Sequence, residues 1–280
     1  MLKLRGYDKT VARHVHDRTR GGLFNPAWRH IQHFYLDSRD FYNITFCPHH
    51  AAQPLQLALD RIFYHRPERI QRTSFAAQSG LDACLRKYAR ATRTRVFRPG
   101  LYVRPDYPHL SARPHGVYVW NRTELNLIEI YQIATNESIT NVHTDPLFKL
   151  YKRKKCILNK THPVYYNIQS MLTIANKSFC DLVLMTNRDM FIKRIYCNST
   201  VFRIPMLHPV YRYYAYTYLP QLVRYFLHLR MYRYTECDNL RDLVNTDFVS
   251  LNQFDHFFSF AAQMYDFELK HNDARLEKML

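Results

Sequence analysis

Two short stretches of alternating side chains constrain the fold of this chain more than anything else in it. Val117 and Val119 precede the polar residues 121–124, and Leu125, Leu127, Glu129 and Tyr131 follow them, each separated from the next by one residue. A period of two is the signature of a strand with one face inward, and two such runs joined by a short polar turn predict an antiparallel hairpin. Alternation also places Glu129 and Tyr131 on the same face of the second strand. Taken alone, Glu129 reads as a strand carboxylate paired with a nearby cation.

Helical periodicity flanks this hairpin. Residues 55–65 and 74–93 carry apolar side chains at three and four spacing (Leu81, Cys84, Leu85 and Tyr88 in the second), so both are expected to be amphipathic helices packed on a sheet. A helix is predicted over 165–176, with Ile168, Met171, Leu172 and Ala175 on one side, then an apolar strand over 179–186 and another over 191–197. Residues 211–233 read as a long aromatic helix that Pro220 should kink or break, its tyrosines serving as core, and residues 252–271 as a closing helix. No periodicity is evident over 132–163, which is expected to be a long loop ending in a basic run. Three parts follow: a basic, mobile tail over 1–23, an α/β domain over 24–235, and a helical extension over 236–280 packed on that domain.

Charge narrows the choice of partner. The chain has 40 Lys and Arg against 23 Asp and Glu, a formal net charge of +17 over 280 residues, which favours a polyanion such as nucleic acid. No apolar run approaches the roughly 20 residues that a spanning helix needs, so no membrane role is expected. The start, MLKLRGYDKT, lacks the apolar stretch of a secretory signal, so the chain is expected inside a cell with its six cysteines reduced. The run Lys152-Arg153-Lys154-Lys155 has the composition of a nuclear localisation signal, and with Lys149 it equally suits a loop following a DNA backbone. Arg86 and Arg90, together with Lys87, Arg93 and Arg95, recur at helical spacing and are expected to line a groove that binds phosphates without reading bases.

The residues from Gly100 to Gly116, GLYVRPDYPHLSARPHG, followed by Glu129-Ile130-Tyr131, carry a family resemblance. They resemble the metal-binding hairpin of the lambda-exonuclease-like, YqaJ-type viral recombinases, the group containing the alkaline exonucleases of large insect DNA viruses. His162-Pro163-Val164-Tyr165-Tyr166-Asn167-Ile168-Gln169 is similar to that family's Tyr-x-x-Gln helix, and Phe179-Cys180-Asp181 to its Trp-Cys-Asp strand. The resemblance spans about residues 35–224. It implies a restriction-endonuclease-like α/β fold of the PD-(D/E)XK type, with a mixed central sheet flanked by helices and helical additions at both termini.

The resemblance also assigns chemistry, and there the chain departs from it. The family's Ser-Pro-Asp-Gly is Arg113-Pro114-His115-Gly116 here, and its Glu-x-Lys is Glu129-Ile130-Tyr131. The site positions implied are therefore Glu129 and Gln169, with His115 and Tyr131 at degenerate motif positions, and Arg39 in the place of an Arg that grips a terminal 5′ phosphate. Cleavage of a phosphodiester needs a hydroxide made at neutral pH and positive charge on the phosphate, which Mg²⁺ held by carboxylates supplies. Imidazole is a softer ligand without negative charge, and a tyrosine hydroxyl brings no cation. Losing the site would slow cleavage by roughly three or more decades.

What is expected is an alkaline-exonuclease-like protein that binds duplex DNA ends in viral replication or recombination, with impaired or no cleavage and then no cofactor. A working metal-dependent 5′–3′ exonuclease, with Mg²⁺ or Mn²⁺ on Glu129, is one alternative. A non-catalytic scaffold for a viral single-strand-annealing or single-strand DNA-binding protein is another. The resemblance allows an oligomer, and a viral source implies the host nucleus.

Overall fold

The computed structural model describes residues 9–20, 35–46, 67–120, 124–133, 135–139, 148–151 and 155–222; the helices expected over 55–65 and 252–271, and the extension over 236–280, lie outside them. In chain order the elements are α1 (Lys9–Arg18), β1 (Leu36–Asp37), a 3-10 turn (Ser38–Asp40), α2 (Phe41–Phe46), α3 (Pro67–Thr92), β2 (Val96–Phe97), β3 (Tyr102–Arg104) and β4 (Tyr107–Ala112). There follow β5 (Gly116–Trp120), β6 (Glu124–Gln132), β7 (Phe148–Tyr151), β8 (Lys155–Leu158), α4 (Pro163–Ala175), β9 (Phe179–Met185), β10 (Met190–Tyr196), α5 (Ser199–Arg203) and α6 (Leu207–Tyr213).

The hairpin forms as expected: β5 and β6 are antiparallel, with Val117 opposite Leu127 and Gly116 opposite Ile128. β6 then pairs in parallel with β9, and the five-stranded mixed sheet runs β10-β9-β6-β5-β2. A parallel pair needs a crossover, and α4 supplies its helix. His162 caps α4 by accepting the Val164 N–H on Nδ1, Pro163 begins the first turn, and Asn176 closes the helix in the left-handed conformation at φ 52°. Residues 165 and 167–174 of α4 are all buried, so it is a central helix with the sheet on one side and other elements around it.

Alternation sorts the sheet into two faces. Leu127, Leu182 and Leu184 join Ile168, Met171 and Leu172 of α4 in the larger core, while Ile128 and Val183 face Leu85 and Tyr88 of α3 in the smaller one. A mixed α/β sheet with helices on both faces is thus observed, as the sequence reading expects. A separate three-stranded sheet, β1-β4-β3, stands beside it and delivers the chain into β5.

Three expectations need correction. The segment over 1–23 is not all irregular, because Lys9–Arg18 is helical and buries Val15 against Leu101, Val103 and Tyr35. The stretch over 132–163 contains an antiparallel ribbon, β7 with β8, where Phe148 pairs with Leu158. The aromatic helix begins earlier, at Leu207, and widens into a π-helical stretch at Tyr214–Tyr218, in which the Leu219 N–H reaches back to the Tyr214 carbonyl. Pro220 explains the widening, since it offers no N–H and its ring crowds the carbonyl a turn before it. Tyr213, Tyr214 and Tyr218 are buried as core, Tyr211 is half-buried, and Tyr216 departs from the expectation by being 53% exposed.

Gly100 is the point where α1 docks. Its N–H lies 3.3 Å from His16 Nε2, the Leu101 N–H donates to Thr19 Oγ1 at 2.7 Å, and a Cβ on Gly100 would stand 1.7 Å from the His16 carbonyl oxygen. No rotamer relieves a clash with main chain. Gly100→Ala is therefore expected to expel α1, exposing the side chain of Val15 and its partners at a cost of about 2–3 kcal/mol, and limited proteolysis should show faster cleavage within residues 9–20.

Candidate functional site

Glu129 lies on the α4 face of β6, and 7% of its side chain remains exposed. A buried carboxylate is stable only when its charge is matched. Three segments converge to do so. Asn167, on the inner side of α4, donates from Nδ2 to Glu129 Oε1 at 3.2 Å, and Ser38 Oγ donates to Asn167 Oδ1 at 2.8 Å. His115, at the entry to β5, brings Nδ1 to 2.9 Å from Glu129 Oε2. Arg39, in the 3-10 turn capped by Asp37, places Nη2 at 3.8 Å from Glu129 Oε1, 3.3 Å from His115 Nε2 and 3.0 Å from the Arg113 carbonyl.

His115 Nδ1 also lies 3.1 Å from the Ile130 backbone nitrogen, and one ring nitrogen cannot donate to the carboxylate and accept from the amide. The Ile130 N–H has the geometry of a bond to Nδ1, whereas the approach of Nδ1 to Glu129 Oε2 is an ion-pair contact that leaves Oε2 buried without a hydrogen bond. His115 thus stands between Arg39, 3.3 Å from its Nε2, and Glu129, 2.9 Å from its Nδ1. Burial opposes ionisation of Glu129, but the His115 ring and Arg39 outweigh burial and a nearby Asp37, and hold the carboxyl below its ordinary range.

Asp37 is near enough to be felt by Glu129, yet it is committed elsewhere. Its Oδ2 lies 3.1 Å from Arg113 Nε and its Oδ1 accepts the Arg39 N–H at 3.1 Å. Among the described residues no group of three or more His, Cys, Asp and Glu side chains could hold a metal ion. The donor set at Glu129 does not fit Mg²⁺: the ion needs several hard oxygen ligands and a site with negative charge to spare, whereas Glu129 faces the Arg39 cation and an imidazole instead of a second free carboxylate.

The other residues singled out from sequence are dispersed. Tyr131 shares the Glu129 face and meets the His162 ring edge-on at 6.1 Å. Gln169 is fully buried, with Nε2 donating to the Tyr196 carbonyl at 3.0 Å and Oε1 accepting the Asn198 N–H at 2.7 Å, so it ties α4 to the corner after β10. Two residues along a helix point in nearly opposite directions, which is why Asn167 rather than Gln169 reaches Glu129. Arg86 and Arg90 are exposed on α3, over the sheet face opposite Glu129, and so do not line its pocket. Lys149 and Lys155 belong to β7 and β8, while Lys152, Arg153 and Lys154 fall outside the described residues. Asp37, Ser38 and Asn167 carried no sequence signal beyond their place beside matched residues.

No protein-family model matches this chain, and no curated protein does. Among solved structures it is similar to an alkaline exonuclease, LHK-Exo, from Laribacter hongkongensis, with a TM-score of 0.45 and 15% identity over 73% of this chain and 96% of that one. The same exonuclease in complex with dAMP gives a TM-score of 0.45 and 15% identity over 74% and 95% of the two chains. The protein SSO0001 gives 0.37 and 11% over 67% and 80%. Among the described residues no helix is long and apolar enough to cross a membrane.

Proposed function

We propose that this chain is an exonuclease-like protein that binds DNA ends through backbone contacts and cleaves DNA little or not at all. The observation that carries the reading is the cluster of groups around Glu129. Where the resembling family would hold a divalent ion between two carboxylates beside a lysine, Glu129 is instead surrounded by His115 at 2.9 Å, Arg39 at 3.8 Å and Asn167 at 3.2 Å. The phosphates of a DNA end are met on this side by part-exposed cations. Arg39 and Arg113 supply the cations, and the net charge of +17 supplies the long-range attraction.

Duplex binding should be electrostatic and indifferent to sequence. In a salt titration the logarithm of affinity should fall with the logarithm of salt at a slope of about −0.9 for each phosphate neutralised. A flat titration would remove the DNA reading and favour a scaffold that contacts only protein.

One observation favours a second reading. His115 Nδ1 and Glu129 Oε2 are as close as two neighbouring ligands of one ion, and a softer ion such as Mn²⁺ or Zn²⁺ accepts imidazole readily. That ion would take up Glu129 Oε2, which no hydrogen bond occupies. Digestion of linear duplex in Mn²⁺ or Zn²⁺, absent in Mg²⁺, is the result this second reading requires.

A further inference from the structure

On the sheet face opposite Glu129, three aromatic rings and a guanidinium form a continuous surface. Trp120 of β5 meets Phe179 of β9 edge-on at 5.7 Å, and Phe179 lies 6.0 Å from Tyr196, its cross-strand partner on β10. The Arg194 guanidinium stands 4.5 Å over the Trp120 ring and 4.1 Å over that of Phe179. Asp181 holds it there through bonds of 2.9 and 3.2 Å, so the stacked geometry exists before any ligand arrives.

Tyr196 is 67% exposed at the end of an edge strand, the most exposed of the Phe, Tyr and Trp side chains described, and Trp120 is only half-buried. Aromatic area exposed in this way marks a contact surface. The charge beside it indicates the partner. Arg86, Lys87 and Arg90 of α3 are exposed on this side of the sheet, and Arg93 and Arg95 are exposed on the segment entering β2, the neighbour of β5. Glu124, opposite Trp120 in the ladder, is matched by Lys177. A chain of phosphates carrying flat bases satisfies both halves of this surface, whereas an apolar protein face would leave the cations unmatched.

We propose that Trp120, Tyr196 and Arg194 form a platform on which unpaired bases of single-stranded nucleic acid stack, with Arg90, Arg93 and Arg95 meeting its phosphates. The ligand class rests on the nucleic-acid reading above, while the site is independent of Glu129. Stacking on aromatic rings tolerates any base, so the platform confers preference for unpaired strands rather than for sequence.

The test compares a labelled oligothymidylate, an abasic oligomer of the same length and a duplex, each titrated by fluorescence anisotropy. Tyr196→Ala is expected to weaken oligothymidylate binding by roughly five- to a hundredfold, with abasic and duplex binding unchanged and Tyr196→Phe close to wild type. Trp28 and Trp120 are the two tryptophans of the chain. In a Trp28→Phe background, oligothymidylate should quench Trp120 emission and the abasic oligomer should not, a readout that needs no change at the platform. Unaltered oligothymidylate binding by Tyr196→Ala, equal losses on all three probes, or no quenching would each overturn the platform while leaving duplex binding intact. Absence of binding to every probe would remove the platform together with the nucleic-acid reading.

Discussion

Asp181→Ala is expected to lower the free energy of unfolding by about 3–5 kcal/mol, the range for breaking a buried ion pair. Asp181 Oδ2 accepts from the Tyr88 and Tyr118 hydroxyls at 2.8 Å each, and both carboxylate oxygens accept from Arg194. The residue is almost wholly buried between α3 and the sheet. Burial, and then the Asp181 charge, push the Tyr88 hydroxyl far above its ordinary range, so it remains a donor at every accessible pH. Removing the carboxylate leaves two buried hydroxyls without their acceptor, and the guanidinium with the Tyr118 oxygen, at 3.1 Å, in place of its charged partner. Because 30% of the Arg194 side chain is in solvent, part of that penalty is relieved, and the lower end of the range is the better expectation. Urea unfolding of wild type and variant measures it; a loss below about 1 kcal/mol would mean that the network is incidental to stability.

The second large effect is a loss of stability in mild acid, traced to His109. Its ring is buried in β4 against Tyr214 at 4.8 Å and Tyr211 at 5.7 Å, and its Nε2 has no hydrogen-bond partner. Burial lowers its pKa from the ordinary 6.5 to about 3. The unfolded chain therefore takes up a proton at a pH where the folded chain does not, and stability falls as pH drops below 6.5. The loss is about 1.4 kcal/mol for each pH unit, reaching about 5 kcal/mol near pH 3. Between about pH 7 and about pH 5, wild type should lose roughly 2 kcal/mol more than His109→Phe, which keeps the ring packing without the proton. Parallel pH profiles for the two proteins would exclude His109 as the cause.

The sequence was most legible where a period is strict and the environment is apolar. The β5–β6 hairpin, α4 and β9 follow from alternation, from Pro163 and from an uninterrupted apolar run, and their bounds agree closely with the expected ones. β7 and β8 were not legible: a short ribbon buries little, so its residues need not alternate cleanly. α1 was hidden because Val11 and Val15 give its only apolar stripe among charged residues, and its docking depends on a distant glycine, Gly100.

At the site, the sequence marked Glu129, His115 and Arg39 through motif positions, and these three do meet. It could not mark Asn167, whose amide is an ordinary helix side chain until the rotation of α4 is known, nor Asp37, whose pairing with Arg113 joins residues far apart in the chain. It also could not say that Gln169 faces the other way. Side-chain direction around a buried helix is fixed by packing on every side, and a single sequence carries little record of that.

The central claim is that Glu129, facing Arg39 and His115 instead of a second free carboxylate, holds no catalytic Mg²⁺. Its most direct test is digestion of end-labelled linear duplex by the purified chain with Mg²⁺ or Mn²⁺. The expected result is an undegraded duplex that is nevertheless bound. Metal-dependent shortening that disappears in Glu129→Ala would contradict the account.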